Sequence, residues 1–437
     1  MLPKSLLLAA AAVLSLVNAQ NEYLGFNYGA AKANGQVKVY DDFLEEFELA
    51  QKLAGTNGKF SSARLYTMIQ GPSKDDPIDA IEAAIKTKTT LLLGIWCSVP
   101  TEHVTNEINA LLKAIDKYGK DFTDLVVGLS VGSEDLYRNS VMGIENKSGI
   151  GAEPDQLVKY IGMVRKAIAN TDLKSVPIGH VDTWTVWVNG SNNVVTEALD
   201  WIGFDAYPYF QSTMANSIEV APQLFWEAYE NTQKATGKEV WITETGWPVS
   251  GKDMNLAKAN TKDAQTYWNT VGCAIFGKYK TWWYMLRDAD PTPPETEFGV
   301  VGADLKPYYD LSCKNAKPVA SPVASTSTAT ATTAAPSTAA TSTRAPGTSS
   351  FDSDIEFSSI SSSMSQALGS NTVISISTGT TFEVESSTRG SSGSTPTELA
   401  EGAAQTTGVD APSSGFAVKA TIGFVAAQAI AAAFFLL

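Results

Sequence analysis

A closed (β/α)8 barrel over residues 20–313, followed by a disordered Ser/Thr-rich stalk, is the architecture this 437-residue sequence predicts. Three observations carry the barrel: eight short apolar runs, amphipathic stretches between them, and a length of roughly 290 residues, which suits eight β/α repeats. The first four runs are YLGFNYG (23–29), ARLYTM (63–68), TTLLLGIW (89–96) and DLVVGLSVGSE (124–134). The last four are SVPIGHVDTW (175–184), WIGFDAYPYF (201–210), VWITETGWP (240–248) and TWWYMLRD (281–288). Stretches such as FLEEFELAQKLAG and EPDQLVKYIGMVRKAIAN place apolar residues three to four apart, the helical spacing. Strands alternating with helices imply a parallel sheet. An open doubly wound sheet is the rival, but no G-x-G-x-x-G follows the first run.

Both ends read as addresses and not as fold. Residues 1–19 hold one Lys, the apolar run LLLAAAAVLSL and small residues ahead of a cut after Ala19, the pattern of a secretory signal. The run is too short to span a bilayer as an anchor. Composition breaks after Cys313: of the 28 residues Ser321–Thr348, all but Val323, Arg344 and Gly347 are Ser, Thr, Ala or Pro. Such a stretch cannot bury enough apolar surface to order itself, and in a secreted chain it reads as an O-glycosylated stalk, assigned to residues 314–414. Residues 415–437 end in an apolar tail with small residues ahead of it, between Gly402 and Gly415. That is the signal for a GPI lipid, in which the tail is removed; a single membrane-spanning helix is the rival. The expected location is therefore the cell membrane and wall.

Composition narrows the chemistry. Asp+Glu 46 against Lys+Arg 32, a net charge of −14, argues against a nucleic-acid partner. Three cysteines without C-x-x-C spacing and only two histidines, His103 and His180, point to no metal centre and leave little for a Ser-His-Asp triad. No cofactor is implied, and carboxylates remain. Glu134 closes the fourth apolar run and Glu244 lies in the seventh, where barrel enzymes carry their active sites. A helix N-cap or first-turn role is the bland alternative for either residue alone. As a pair they are what glycosidic bond cleavage requires, one protonated and one ionised. Such a pair should give a bell-shaped pH profile, with an optimum on the order of pH 4–6. Tyr28, Tyr66, Asp205 and Tyr207 also fall near strand ends, as hydrogen-bonding partners or as buried barrel tyrosines. Trp96, Trp184, Trp187, Trp247, Trp282 and Trp283 are suited either to stacking on sugars or to the core.

The block WITETGWPVS resembles the signature of glycoside hydrolase family 17, the β-1,3-glucanase family, and VGSE resembles its V-G-N-E motif with Ser133 in place of Asn. GFNYG and ARLY are similar to the family's first two strands. ETEFGVVGADLKPYYDL is similar to its closing segment, matching Glu295, Phe298 and Gly299. The resemblance covers roughly residues 22–312 in order. It implies a retaining mechanism with Glu134 as proton donor and Glu244 as nucleophile, acting on β-1,3-glucan. It also implies substrate contacts from Tyr28, Tyr66, Ser133, Asp205, Tyr207, Trp247, Glu295 and Phe298. Ser133, shorter than Asn, would contact the sugar 2-hydroxyl weakly or through water. Endo-hydrolysis is the leading reading. Glucanosyl transfer uses the same two glutamates, and a non-catalytic glucan-binding wall protein is the third possibility. The chain is expected to act as a monomer. Of the three cysteines, Cys273 and Cys313 are expected to pair and clip the last helix to the barrel, leaving Cys97 as a buried thiol. Asn146 and Asn189 begin N-x-S glycosylation motifs.

Overall fold

The computed structural model describes residues 23–321, and the leader, the tail and the stalk beyond Ser321 lie outside the described residues. Each predicted run forms a strand. Leaving aside several one-turn helices, the elements in order are β1 (Leu24–Tyr28), α1 (Tyr40–Lys52), β2 (Ser62–Leu65), α2 (Ala80–Thr87), β3 (Thr90–Ile95), α3 (Thr101–Tyr118), β4 (Val126–Ser133) and α4 (Asp135–Arg138). They continue as α5 (Pro154–Ile168), β5 (Ile178–Thr183), α6 (Asn193–Ala198), β6 (Trp201–Asp205), α7 (Ala221–Thr236), β7 (Val240–Glu244), α8 (Thr261–Tyr267) and β8 (Thr281–Trp283). Neighbouring strands pair in parallel, and β8 returns to β1 to close the barrel.

Side chains alternate along each strand, so the barrel has two cores. The outer one lies between strands and helices; α1, for example, buries Phe43, Phe47 and Ala50, and its first turn is held by the Asp42 carboxylate accepting the Val39 N–H at 3.0 Å. The inner one is a separate plug of Leu92, Val181, Trp201, Trp241 and Trp282. Trp201 and Trp241 stack at 4.0 Å, and the Trp282 indole N–H donates to Ser62 Oγ at 3.1 Å. Leu92, Trp201 and Trp241 come from the first halves of their strands, and Val181 and Trp282 from the middle, so the plug fills the lower barrel and leaves polar side chains to the carboxyl-terminal end.

Two register breaks lie just before the candidate glutamates. Between Ser130 and Ser133, β4 advances three residues while β5 advances two, from Gly179 to Val181. Between Ile242 and Glu244, β7 advances two while β6 advances one, from Phe204 to Asp205. An extra residue of this kind bends a strand and re-aims the side chain that follows.

A disulfide joins Cys273 to Cys313, and Cys97 is a buried free thiol. Packing continues past Cys313, the boundary read from composition, to Ser321. The Val319 N–H donates to Thr270 O at 2.9 Å, its carbonyl accepts from the Trp226 indole at 2.6 Å, and Ser321 Oγ donates to Glu230 on α7.

Candidate active site

Glu244 ends β7 and is 6% exposed. One oxygen, Oε1, accepts from Arg64 Nη1 at 2.5 Å and from the Tyr66 hydroxyl at 2.9 Å; Oε2 accepts from the Tyr207 hydroxyl at 2.7 Å. Three donors, one of them a guanidinium, hold and orient this carboxylate. Arg64 is itself held in place, because Nη1 also donates to Asn27 Oδ1 at 2.7 Å and Nη2 to Ser133 Oγ at 3.0 Å. Asn27 in turn donates to Thr243 O and Trp282 O, both at 3.0 Å, tying β1 to β7 and β8 across the barrel mouth.

Glu134 follows β4 and is 8% exposed. Its carboxyl accepts no hydrogen bond from the described residues, and the nearest cation, Arg138 Nη2, lies 3.8 Å from Oε2. Burial outweighs the pull of Arg138 and, with the charge of Glu244, pushes the Glu134 carboxyl up to about 8. Its backbone is left-handed, φ 56°, which is uncommon for a non-glycine residue. Although Glu134 precedes α4, its side chain makes no cap hydrogen bond, so the N-cap alternative does not describe it. Asp205 is buried beside Glu244 and accepts from Thr243 Oγ1 at 2.7 Å; burial, reinforced by the Glu244 charge, raises it well above the ordinary range.

Tyr66, Ser133, Asp205 and Tyr207 thus gather around the two glutamates. The other expected contacts are placed differently. Tyr28 faces outward and meets Phe47 of α1 edge-on at 4.9 Å, because alternation gives the interior position to Asn27. Trp247 is buried in the outer core, its indole N–H donating to Lys258 O at 2.8 Å, and so is not open to a sugar. Phe298 is 3% exposed and supports the site from behind, edge-on to Tyr284 at 5.4 Å and to Tyr207 at 5.7 Å. Glu295 is exposed on the rim of a cavity of about 400 Å3, whose walls include Tyr66, Trp96, Tyr284, Lys32 and Arg287. Trp187, Trp282 and Trp283 are core; Trp96 reaches the cavity and Trp184 is half-buried. Asn189 is exposed, whereas the Asn146 amide is half-buried and donates to the Tyr137 hydroxyl at 2.9 Å. Among the described residues no group of three or more His, Cys, Asp or Glu is placed to hold a metal ion.

Two residues that contact this site escaped the sequence reading. Arg64 and Asn27 are interior-facing polar residues inside apolar strands, SARL and LGFNY, and that anomaly was the available signal.

A parallel eight-stranded barrel with two buried carboxylates at its carboxyl-terminal mouth has the arrangement that barrel-type glycoside hydrolases use. Residues 25–304 match the BtgE/BtgC glycoside hydrolase domain, and the chain belongs to that family, within glycoside hydrolase family 17. It is 58% identical over 306 residues to the probable glucan endo-1,3-beta-glucosidase eglC of Aspergillus fumigatus, covering 69% of this chain and 68% of that one. The Aspergillus oryzae protein of the same name is 56% identical over 312 residues, covering 70% and 67%. In fold it is similar to the glycoside hydrolase family 17 beta-1,3-glucanosyltransferase of Rhizomucor miehei, with a TM-score of 0.53 and 24% identity, covering 67% of this chain and 97% of that one.

Proposed function

We propose that this glycoside hydrolase is a retaining endo-β-1,3-glucanase in which Glu134 is the acid/base and Glu244 the nucleophile. The observation that carries the roles is the unequal wiring of the two carboxyls at one mouth. Glu244 takes three donors, one of them a guanidinium; Glu134 takes none and is pushed up to about 8. In the first step Glu134 gives its proton to the glycosidic oxygen while Glu244 attacks the anomeric carbon, and the leaving chain departs as an alcohol. In the second, ionised Glu134 takes a proton from water, which displaces Glu244 and restores both groups. The glucan substrate is supported by the names of the relatives at 56–58% identity. Ser133 Oγ accepts from Arg64 and so helps to hold that guanidinium, while its own hydroxyl proton stays available to a sugar 2-hydroxyl, directly or through water.

Azide separates the roles. Glu134→Ala should accumulate a glycosyl-enzyme from an activated aryl glucoside, and azide should release it as the β-glycosyl azide. Glu244→Ala rescued by azide should give the α product; the opposite pairing of products would reverse the assignment. A product time course on end-labelled laminari-oligosaccharides tests hydrolysis. Products longer than the starting chain would make the enzyme a glucanosyltransferase.

The ends of the chain support a surface location: the leader directs secretion, the Ser/Thr-rich segment serves as an O-glycosylated stalk, and the apolar tail is exchanged for a GPI lipid. Phosphatidylinositol-specific phospholipase C should release the protein from intact cells; retention after the enzyme had released a control GPI protein would count against the anchor. N-glycosylation is assigned first to exposed Asn189. The enzyme acts as a monomer, which light scattering of the purified protein checks.

A further inference from the structure

Behind Glu134 lies a buried charge cluster that the two-carboxylate chemistry does not itself use. His180 on β5 is fully buried, with Nδ1 2.7 Å from Val131 O and Nε2 3.1 Å from Asp182 Oδ2. A carbonyl oxygen only accepts, so Nδ1 carries a proton. Asp182 Oδ2 also accepts the Leu136 N–H at 2.9 Å and the Tyr137 N–H at 3.4 Å, and Oδ1 accepts the Thr183 N–H at 2.7 Å. With both carboxylate oxygens turned to backbone donors, the Nε2 facing Oδ2 donates as well. An imidazole that donates from both nitrogens, a cation, satisfies all of these contacts.

We infer that His180 is a permanently charged positioning residue, which acts through Val131 and Asp182 to hold the Gly132–Asp135 turn that aims Glu134 at the glycosidic oxygen. This inference rests on Glu134 being the acid. The turn needs holding, because Gly132 has φ 89° and Glu134 φ 56°. His180 grips it at both ends, at Val131 before the turn and, through Asp182, at the α4 amides after it. Gly132 lies directly on the ring: a Cβ there would sit 2.9 Å from His180 Cε1 and would overlap Asp135 Oδ2.

The other groups facing His180 complete the charge balance. Asp135 accepts from Ser98 Oγ at 2.7 Å and from the Ser133 N–H at 2.7 Å; Arg138 donates to Ser98 Oγ at 3.0 Å and to the Ser133 carbonyl. Trp187 meets the imidazole edge-on at 5.7 Å. His180 and Arg138 both act on Asp135, and His180 faces Asp182; Arg138 is also the cation 3.8 Å from Glu134, where burial outweighs its pull. A neutral His180 would leave an unbalanced carboxylate next to the acid.

The chain has two histidines, so the test is direct. Nitrogen-15 NMR of the full-length protein, with His103→Gln to assign the second imidazole, should show both His180 nitrogens protonated from pH 5 to 8. His180→Asn keeps a donor for Val131 but loses the charge and the Asp182 arm. It should lower kcat on laminarin by roughly 10²-fold, the range of a lost general acid, and lower aryl release from a dinitrophenyl laminarioside by less than about threefold. Asp182→Asn should show the same split, and decides the matter if His180→Asn does not fold. A neutral His180 at pH 7 overturns the inference. So does an equal loss on both substrates in these variants when Glu134→Gln, measured alongside, discriminates between them. If Glu134→Gln fails to discriminate, the acid assignment falls first and takes the role of His180 with it.

Discussion

At Glu134 the deciding quantity is burial without a partner. A free glutamate would be ionised at neutral pH, whereas this one is pushed up to about 8 because its charge would enter a dry site where Arg138 comes no closer than 3.8 Å. The alkaline limb of kcat/KM should therefore fall near pH 8, above the optimum on the order of pH 4–6 expected of an ordinary carboxyl pair. A limb below pH 6 would mean that Glu134 is not the protonated group. The same burial affects stability. Glu134 and Glu107, both raised to about 8, and Asp288, raised to about 6, are held up mainly by desolvation and keep protons that the unfolded chain releases. The folded state then binds more protons than the unfolded one, so their contribution is intact below the unfolded values and is lost as pH rises towards 8. Glu134→Gln removes one such group. Its Tm should match the parent near pH 4 and exceed it at pH 8 by on the order of a few degrees, as scanning calorimetry would show.

Among the elements, β4 and β7 do the aiming. Their extra residues lie immediately before Glu134 and Glu244, and without them strict alternation would set the direction of each carboxyl. The β4 turn depends on Gly132, whose φ of 89° is closed to most side chains and whose missing Cβ leaves room for Asp135 and His180. Gly132→Ala should therefore cost laminarin activity by roughly 10²-fold or more, since a displaced acid loses its proton-transfer contribution. Near-normal turnover in that variant would show that the turn tolerates a side chain. These breaks could not be read in VVGLSVGS or VWITE, because a register shift is a relation between two strands and neither string contains its partner.

For the molecule as a whole, closure depends on the last segment as well as on β8, which is only three residues long. Cys273–Cys313 closes a 40-residue separation, and by the chain-entropy argument its loss should cost roughly 3–4 kcal/mol, measurable by denaturant unfolding of Cys273→Ser/Cys313→Ser. Residues 314–321 add the Thr270 and Trp226 contacts, so a chain ending at Ser321 should melt higher than one ending at Cys313; equal melting would place the boundary at the cysteine. The sequence by itself determined the repeating β/α order, the eight strands and the two glutamates, because apolar periodicity and a carboxylate at the end of an apolar run are local patterns. Tertiary structure alone decided which polar residues surround them. Arg64, Asn27 and His180 become site residues only when β1, β2, β5 and β7 meet, while Tyr28 and Trp247 leave the site for the outer core. The physical reason is that a residue's chemistry here is set by what lies across the barrel, and distance across a closed sheet is not written along the chain.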